Sequence, residues 1–191
     1  AALGYRVTAI SGRDSNTDYL KALGAKEVMP RDGYIDMPRP LEKQLWAGAV
    51  DTVGDKLLAR VLAQMNYNGT VAACGLAGGY QLPTTVMPFI LRNVRLQGVD
   101  SVHTPLHRRQ TAWERLAGIL PDSFYQQATH EISLEQAPAT AAALLNNQIT
   151  GRFWISPCSI ASTRSRPSPA PSKNSLRKRR RCTAAPKTGT H

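Results

Sequence analysis

Three consecutive residues, Ser11-Gly12-Arg13, place a hydroxyl, a flexible backbone and a guanidinium after a short apolar segment. Residues 5–10 are typical of a buried parallel strand, and a helix is predicted after the tripeptide. In a dinucleotide-binding βαβ unit, the second strand ends against the adenosine ribose, where an acidic residue would accept a hydrogen bond from the 2′-hydroxyl. A hydroxyl and a guanidinium instead donate to phosphate oxygens, and the cation neutralises their charge. The tripeptide therefore favours NADP(H) over NAD(H).

Strands and helices alternate over the first 120 residues. The predicted strands cover residues 5–10, 25–29, 47–53, 70–74 and 94–99. Helices are predicted from Asp14 or Ser15, from Asp55, and from Pro105 to about residue 119, where Trp113, Leu116 and Ile119 would pack into the core. Asn68-Gly69 predicts a turn before the fourth strand. This order is typical of an α/β fold with a truncated Rossmann-type, doubly wound parallel sheet.

Charge is distributed unevenly along the 191 residues. Residues 1–152 carry 15 Lys and Arg and 13 acidic residues, whereas residues 153–191 carry nine basic residues and no acid. The second segment is rich in Ser and Pro, so it is predicted to be a disordered basic tail. One alternative function is binding of nucleic acid or another acidic surface through this tail. Its run of Lys and Arg at residues 177–181 has no interleaved aromatic residues, which favours an accidental product of a shifted reading frame.

Cysteine and histidine positions give no sign of a metal or disulfide framework. The three cysteines, Cys74, Cys158 and Cys182, lack zinc-site spacing, and so do the four histidines. Cys74 is predicted to be a small buried apolar residue rather than a nucleophile. No apolar run approaches the roughly 18 residues of a membrane span. A reduced, cytoplasmic protein with no membrane contact is expected.

Several longer stretches carry a family resemblance: LKALGA at 20–25, AVDTVG at 49–54, CGLAGG from Cys74, and TTVMPFILRNVRLQGVDS at 84–101. Together they resemble the medium-chain dehydrogenase/reductase superfamily, in particular its quinone-oxidoreductase-like branch of NADPH-dependent acrylyl-CoA reductases. The resemblance covers about residues 1–152. It implies a zinc-independent enzyme that reduces an activated C=C bond of an enoyl-CoA, or a quinone-like acceptor, with hydride from NADPH.

The resemblance also implies which residues contact the cofactor. Ser11, Gly12 and Arg13 match the family's 2′-phosphate loop, and Arg31 matches its second adenosine-side cation. The remaining positions are matched to the nicotinamide end or to further cofactor contacts, and they are Leu76, Ile90, Ser101 and Asn147. In an open parallel sheet, ligands lie beyond the carboxyl ends of the strands, where Ser11, Leu76 and Ser101 fall. No catalytic residue is identified.

The sequence also departs from the family pattern. The amino-terminal catalytic domain, the first strand and the glycine-rich pyrophosphate loop are not found in it. The predicted organisation is a partial NADP-binding domain at 1–120, the last part of the catalytic domain at 121–152 and the basic tail at 153–191. We expect a gene truncated at its start and shifted in frame near Arg152, whose product has little activity or no function. A sheet without its first strand leaves an apolar edge, which predicts poor solubility or homodimerisation.

Overall fold

A computed structural model of the chain describes residues 1–155. Its strands are β1 (Thr8–Ser11), β2 (Glu27–Pro30), β3 (Trp46–Asp51), β4 (Met65–Ala73), β5 (Arg95–Gly98), β6 (Thr129–Ile132) and β7 (Arg152–Ile155). Its α-helices are α1 (Thr17–Ala22), α2 (Asp55–Ala63), α3 (Met87–Arg92), α4 (Leu106–Ile119), α5 (Asp122–Ala128) and α6 (Ala137–Leu145). Short 3-10 segments follow β1 and β2, at Asp14–Asn16 and Arg31–Tyr34. The predicted α/β fold class is confirmed.

The residues form two compact units. The terminal unit comprises residues 1–9, 15–28 and the part from residue 111 onward, and the central unit comprises residues 10–14 and 29–110. Three sheets occur in the described part of the chain, with strand orders β1-β2, β3-β4-β5 and β6-β7. The division of the chain at residues 120 and 152 into two domains and a tail stays a prediction.

A three-stranded parallel sheet lies in the central unit. Ala49, Val71 and Leu96 are aligned across β3, β4 and β5, so their side chains point to the same face. Val71 is fully buried there, in one core with Leu58 and Leu62 of α2. Apolar residues recur on α2 at helical spacing, and burial of that face against the sheet stabilises both elements.

Asn68-Gly69 forms an irregularity within β4 and not the predicted turn. Asn68 has a φ of 63°, and across this point the pairing advances by two residues on β3 but by five on β4. The additional residues are accommodated as a bulge in a strand that continues. The residue types correctly indicated a left-handed backbone, but pairing with β3 keeps the chain in the sheet.

Gln64 fixes the position of the 3-10 segment that follows β2. Its Oε1 accepts hydrogen bonds from the Tyr34 hydroxyl, at 3.2 Å, and from Trp46 Nε1, at 3.0 Å. Its Nε2 donates to Glu42 at 2.8 Å, and Glu42 forms an ion pair with Arg60. Burial raises the pKa of Tyr34 above its ordinary value, so the phenol stays a donor. The network attaches the segment Arg31–Tyr34 to the end of α2.

In the terminal unit, β6 and β7 pair in parallel. The rings of His130 and Phe153 stack with centroids 5.0 Å apart. The expectation of disorder from residue 153 is therefore wrong for residues 153–155, because strand pairing and ring stacking order them. The remaining tail, residues 156–191, lies outside the described residues.

The helices bear out some predictions and correct others. α4 begins directly after Pro105 and ends at Ile119, as predicted. Trp113 is 66% and Leu116 37% exposed, and no residue of α4 is buried, so the prediction that Trp113, Leu116 and Ile119 pack into the core is wrong. The short helices α3 and α5 were not predicted. Within residues 1–155, no helix is long and apolar enough to cross a bilayer.

Candidate nucleotide site

β1 ends at Ser11, and the side chain of this serine shapes the turn that follows. Ser11 Oγ donates a hydrogen bond to the carbonyl of Arg13, at 3.1 Å, and accepts one from the Arg13 N–H, at 3.2 Å. A hydroxyl that bonds to the backbone two residues further on closes a tight turn. Gly12 is held between the two bonded residues, and the 3-10 segment Asp14–Asn16 leads into α1.

The guanidinium of Arg31 lies against Gly12. A Cβ added at Gly12 would stand 2.9 Å from Arg31 Cζ and Nη2 and 3.0 Å from Nε. Arg31 follows β2 directly and begins the 3-10 segment that Gln64 attaches to α2. Because glycine leaves space for this approach, the ends of β1 and β2 bring Arg31 to the tripeptide, although 17 residues separate Arg31 from Arg13.

Ser11, Gly12, Arg13 and Arg31 form what we call the SGR cluster. All four belong to the central unit. The cluster has two guanidinium groups, and the Ser11 hydroxyl closes the turn next to them. The cluster itself contains no carboxylate. Such a set of donors suits a phosphate monoester, with which a guanidinium can form two parallel hydrogen bonds.

A second concave region lies beyond the carboxyl ends of β4 and β5. It is an open hollow of about 490 Å³. Its lining residues are Ala73, Cys74, Gly75, Leu76, Gly98, Val99 and Asp100. Leu76, predicted to contact the cofactor, is 66% exposed there. Ser101 comes directly after the lining residue Asp100, and its carbonyl accepts a hydrogen bond from Arg109.

The glycines after β4 pack against the loop that joins β3 to α2. A Cβ at Gly75 would stand 2.5 Å from the carbonyl oxygen of Thr52. The Gly78 N–H donates to the Val53 carbonyl at 2.8 Å. Gly75 and Gly78 of the CGLAGG segment therefore allow close approach between the backbones of the two loops.

Asp51, at the end of β3, stabilises the same loop. It is 3% exposed, and its carboxylate accepts from the N–H groups of Val53, at 3.3 Å, and Gly54, at 2.9 Å. Asp51 therefore satisfies backbone donors at the start of α2. Its second oxygen is engaged as well, so its role in this structure is structural.

Asp100 plays a comparable part at the end of β5. It accepts hydrogen bonds from the backbone N–H groups of Val102 and His103, each at 3.0 Å, and from the His103 ring at 2.8 Å. The backbone N–H of His103, and then its ring, hold the pKa of Asp100 below its ordinary value. The turn presents Ser101 beside the hollow.

Two predicted contacts lie elsewhere. Ile90, on α3, is 72% exposed and is not among the residues that line the hollow. Asn147 belongs to the terminal unit, where it follows α6 with a φ of 55° and donates its N–H to the Leu144 carbonyl. The structure thus brings Arg31 to Gly12 and places Leu76 in the lining of the hollow, with Ser101 next to the lining in sequence and Ile90 outside it.

Sequence reasoning was wrong about Cys74. This residue is exposed at the mouth of the hollow, with its Sγ 3.4 Å from the Asp51 carbonyl. Its position immediately after the end of β4 is the signal that could have indicated exposure. Among residues 1–155, no group of three His, Cys, Asp or Glu side chains is arranged to hold a metal ion.

Comparisons with known proteins give the context for this geometry. The chain is 69% identical over 153 residues to the probable acrylyl-CoA reductase AcuI of Escherichia coli K12, a match that covers 80% of this chain and 47% of the relative. It resembles the crystal structure of E. coli K-12 YhdH with bound NADPH, at 68% identity and a TM-score of 0.78. It also resembles Bacillus subtilis YhfP with NAD bound, at 44% identity and a TM-score of 0.75. Each structural match covers 81% of this chain and 47% of the other.

The chain therefore spans about half the length of the curated relatives that it matches. Residues 1–118 match the family of zinc-binding dehydrogenases. These residues include the SGR cluster, the parallel sheet and the hollow. The match, the Rossmann-like neighbours and the parallel strands agree with one another, and the chain belongs to the zinc-binding dehydrogenase family of the medium-chain dehydrogenase/reductase superfamily.

Proposed function

We propose that this chain is the NADPH-binding part of a zinc-independent reductase. The reaction is hydride transfer from NADPH to the activated C=C bond of an enoyl thioester such as acrylyl-CoA, or to a quinone. The observation that carries the proposal is the guanidinium of Arg31 held against Gly12, next to Ser11 and Arg13. The names of the relatives, an acrylyl-CoA reductase and a structure with NADPH bound, agree with this reading.

The residues of the SGR cluster fit the 2′-phosphate of NADPH. The Arg13 and Arg31 guanidiniums donate to its oxygens and neutralise its charge, and the Ser11 hydroxyl closes the turn that carries Gly12 and Arg13. Gly12 lacks the side chain that would keep Arg31 away. Where NADH has a ribose 2′-hydroxyl, the cluster offers no carboxylate to accept its hydrogen bond. The same residues therefore give affinity for NADPH and selectivity against NADH.

The other predicted contact residues are assigned to different parts of the cofactor. Leu76 and Ile90 are assigned to the nicotinamide end, and Ser101 and Asn147 to further contacts. NADPH supplies the hydride chemistry when bound. The part of this chain is to hold and orient the cofactor and to exclude water from it with apolar side chains such as Leu76.

The chain covers 47% of the length of its E. coli relative, and this coverage limits the function that we propose for the chain by itself. A dinucleotide also needs a pyrophosphate site at a helix N-terminus, and the acceptor needs a pocket. Neither is assigned to residues of this chain. We therefore infer weak NADPH binding and little turnover for the chain by itself, in a cytoplasmic setting with a small-molecule acceptor.

Titration of the purified chain with NADPH and with NADH, followed by nucleotide fluorescence, tests the proposal. Saturable binding that is tighter for NADPH is the expected result. Equal affinities for the two nucleotides would contradict it. Retention of DNA that weakens with salt, without any response to nucleotide, would instead favour the basic residues 156–191 as the functional part.

A further inference from the structure

Two arginines near the start of α4 form a cationic surface beside the hollow. Arg108 and Arg109 are both exposed. Arg109 Nη1 donates a hydrogen bond to the Ser101 carbonyl, and Ser101 directly follows the lining residue Asp100. This bond holds the guanidinium next to the hollow rather than inside it, because neither arginine is among the lining residues. Both arginines belong, with the hollow, to the central unit.

Acidic groups close to these arginines in the chain are few. Residues 101–113 contain no Asp or Glu. The carboxylate of Asp100 is engaged in its own turn, where it accepts hydrogen bonds from the Val102 and His103 N–H groups and from the His103 ring. The first turn of α4 also carries the positive end of the helix dipole, which favours anions. The segment from residue 101 to residue 113 therefore offers attraction to a negatively charged ligand.

Two other arginines of the central unit are placed differently. The Arg92 guanidinium donates to the main-chain carbonyls of three residues, so it stabilises the fold. Arg95 begins β5, at the end of the strand away from the hollow. Arg108 and Arg109 are thus better placed than either of them to meet a ligand that extends out of the hollow.

The possible acceptors of the proposed reaction differ in the charge that they bring to this surface. The phosphates of NADPH are assigned to the SGR cluster and, in a Rossmann fold, to the glycine-rich turn after the first strand, so they do not need α4. A quinone carries no phosphate. An enoyl-CoA carries a pyrophosphate and a 3′-phosphate, which its pantetheine arm separates from the reacting C=C bond. A phosphate site for CoA must therefore lie beside the place of hydride transfer and not in it.

We propose that Arg108 and Arg109 bind phosphate groups of a CoA thioester and so select an enoyl-CoA over a quinone as acceptor. This inference rests on the proposed function, which assigns the nicotinamide end of the cofactor to the hollow. Successive residues on a helix diverge by about 100°, so the two guanidiniums suit separate phosphate groups. Arg109 is the anchored member, because its bond to Ser101 fixes one N–H while the rest of its fork remains for a phosphate.

Matched ligands with and without phosphate test this inference. The ¹⁵N-labelled full chain is titrated, without NADPH, with propionyl-CoA and with S-propionyl-N-acetylcysteamine, the same thioester without a nucleotide. Adenosine 3′,5′-bisphosphate supplies the nucleotide end of CoA alone, and inorganic phosphate measures general anion binding. The variants are Arg109→Gln and Arg108→Gln. The control is Arg95→Gln, which removes an exposed cation at the other end of β5.

The expected result is a saturable shift of the Ser101 and Arg109 amides with propionyl-CoA and with the bisphosphate, and none with the phosphate-free thioester. Arg109→Gln should weaken propionyl-CoA binding by about tenfold and Arg108→Gln by about threefold, because each removes charge-assisted hydrogen bonds. Arg95→Gln should leave it unchanged. If Arg109→Gln disturbs the turn at Ser101, Arg109→Lys, which keeps the charge and loses the fork, should give an intermediate loss.

Several outcomes would overturn the proposal. They are no binding of propionyl-CoA, equal binding of the phosphate-free thioester, an equal loss in Arg95→Gln, and binding of inorganic phosphate as tight as that of the bisphosphate. A chain that binds NADPH in preference to NADH but does not bind propionyl-CoA contradicts this inference alone. A chain that binds propionyl-CoA through α4 but does not distinguish NADPH from NADH contradicts the proposed function alone.

Discussion

Glycines that follow three strands of the central unit lie against two kinds of group. Gly12 approaches the end of a long, flexible side chain, Arg31. Gly54 and Gly75 approach backbone, the carbonyls of Gly79 and Thr52. A methyl group at Gly12 can be accommodated if the guanidinium moves, whereas one at Gly54 or Gly75 must displace the main chain. Gly12 therefore leaves space for the side chain that we propose to bind the ligand, whereas Gly54 and Gly75 leave space for neighbouring backbone.

The largest effect is expected for Gly54→Ala. Gly54 has a φ of 75°, which disfavours any side chain, and its added Cβ would clash with the Gly79 carbonyl. We expect the free energy of unfolding to fall by about 3 kcal/mol, measured by urea denaturation. Gly98→Ala, with nothing within 4 Å of the added Cβ, is the control. If Gly54→Ala were as stable as Gly98→Ala, the close approach of Gly54 to the Gly79 carbonyl would not contribute to stability.

Asp51→Ala should have the next largest effect. The substitution leaves the N–H groups of Val53 and Gly54 without their buried acceptor. Loss of these two hydrogen bonds should lower the free energy of unfolding by about 1 to 2 kcal/mol. Asp51→Asn, which retains one acceptor oxygen, should lose less. If Asp51→Ala instead retained full stability and altered nucleotide binding, Asp51 would have to be reassigned to the ligand site.

Arg31→Ala tests whether the side chain that contacts Gly12 contributes to nucleotide binding. Removal of one guanidinium should weaken NADPH binding by about tenfold and leave NADH binding unchanged, because the lost bonds are charge-assisted bonds to the 2′-phosphate. Fluorescence titration measures both nucleotides. The control is Arg39→Ala, which removes an exposed cation outside the SGR cluster. A similar loss in the control would show a general effect of charge.

Gly12→Ala should have a smaller effect of the same kind. The added methyl group displaces the Arg31 guanidinium by a few tenths of an ångström, so NADPH affinity should fall by about threefold and stability should change by less than about 0.5 kcal/mol. Gly33→Ala, in the 3-10 segment Arg31–Tyr34 and with no atom within 4 Å of the added Cβ, is the matched control. Strong destabilisation by Gly12→Ala would remove the distinction between Gly12 and the glycines that contact backbone.

The smallest effect concerns pH. Asp100 has a lowered pKa in the folded chain, so it favours folding above its unfolded pKa and loses that contribution as pH falls through the folded pKa. His103→Ala removes the ring contact but keeps the backbone donor. The pKa of Asp100 should therefore rise part of the way toward its ordinary value, as NMR titration of the carboxyl carbon would show. His130→Ala should not change it, and an unchanged value in His103→Ala would contradict the assigned cause.

Some of this architecture could be predicted from the sequence. β3 (Trp46–Asp51) overlaps the predicted strand at residues 47–53, and α4 follows Pro105 as expected. These elements depend on local periodicity and on proline, which act within a few residues. The tripeptide Ser11-Gly12-Arg13 was also recognised locally, because residue type and strand end coincide there.

Other features depend on contacts that a local pattern does not contain. The packing of Arg31 on Gly12 joins two strand ends, and the bulge at Asn68 exists only because β3 pairs on both sides of it. The exposure of Cys74 and Trp113 depends on which surfaces are covered, which residue type alone does not determine. Burial was therefore the least predictable property of this chain.

The central claim is that the SGR cluster recognises a 2′-phosphate. The most direct measurement is an NMR titration of the ¹⁵N-labelled full chain with adenosine 2′,5′-bisphosphate and with adenosine 5′-monophosphate, since neither ligand requires a nicotinamide or acceptor site. Saturable shifts of the Gly12 amide with the bisphosphate alone, lost in Arg31→Ala, are the predicted result. Identical shifts with both ligands, or none at Gly12, would contradict the account.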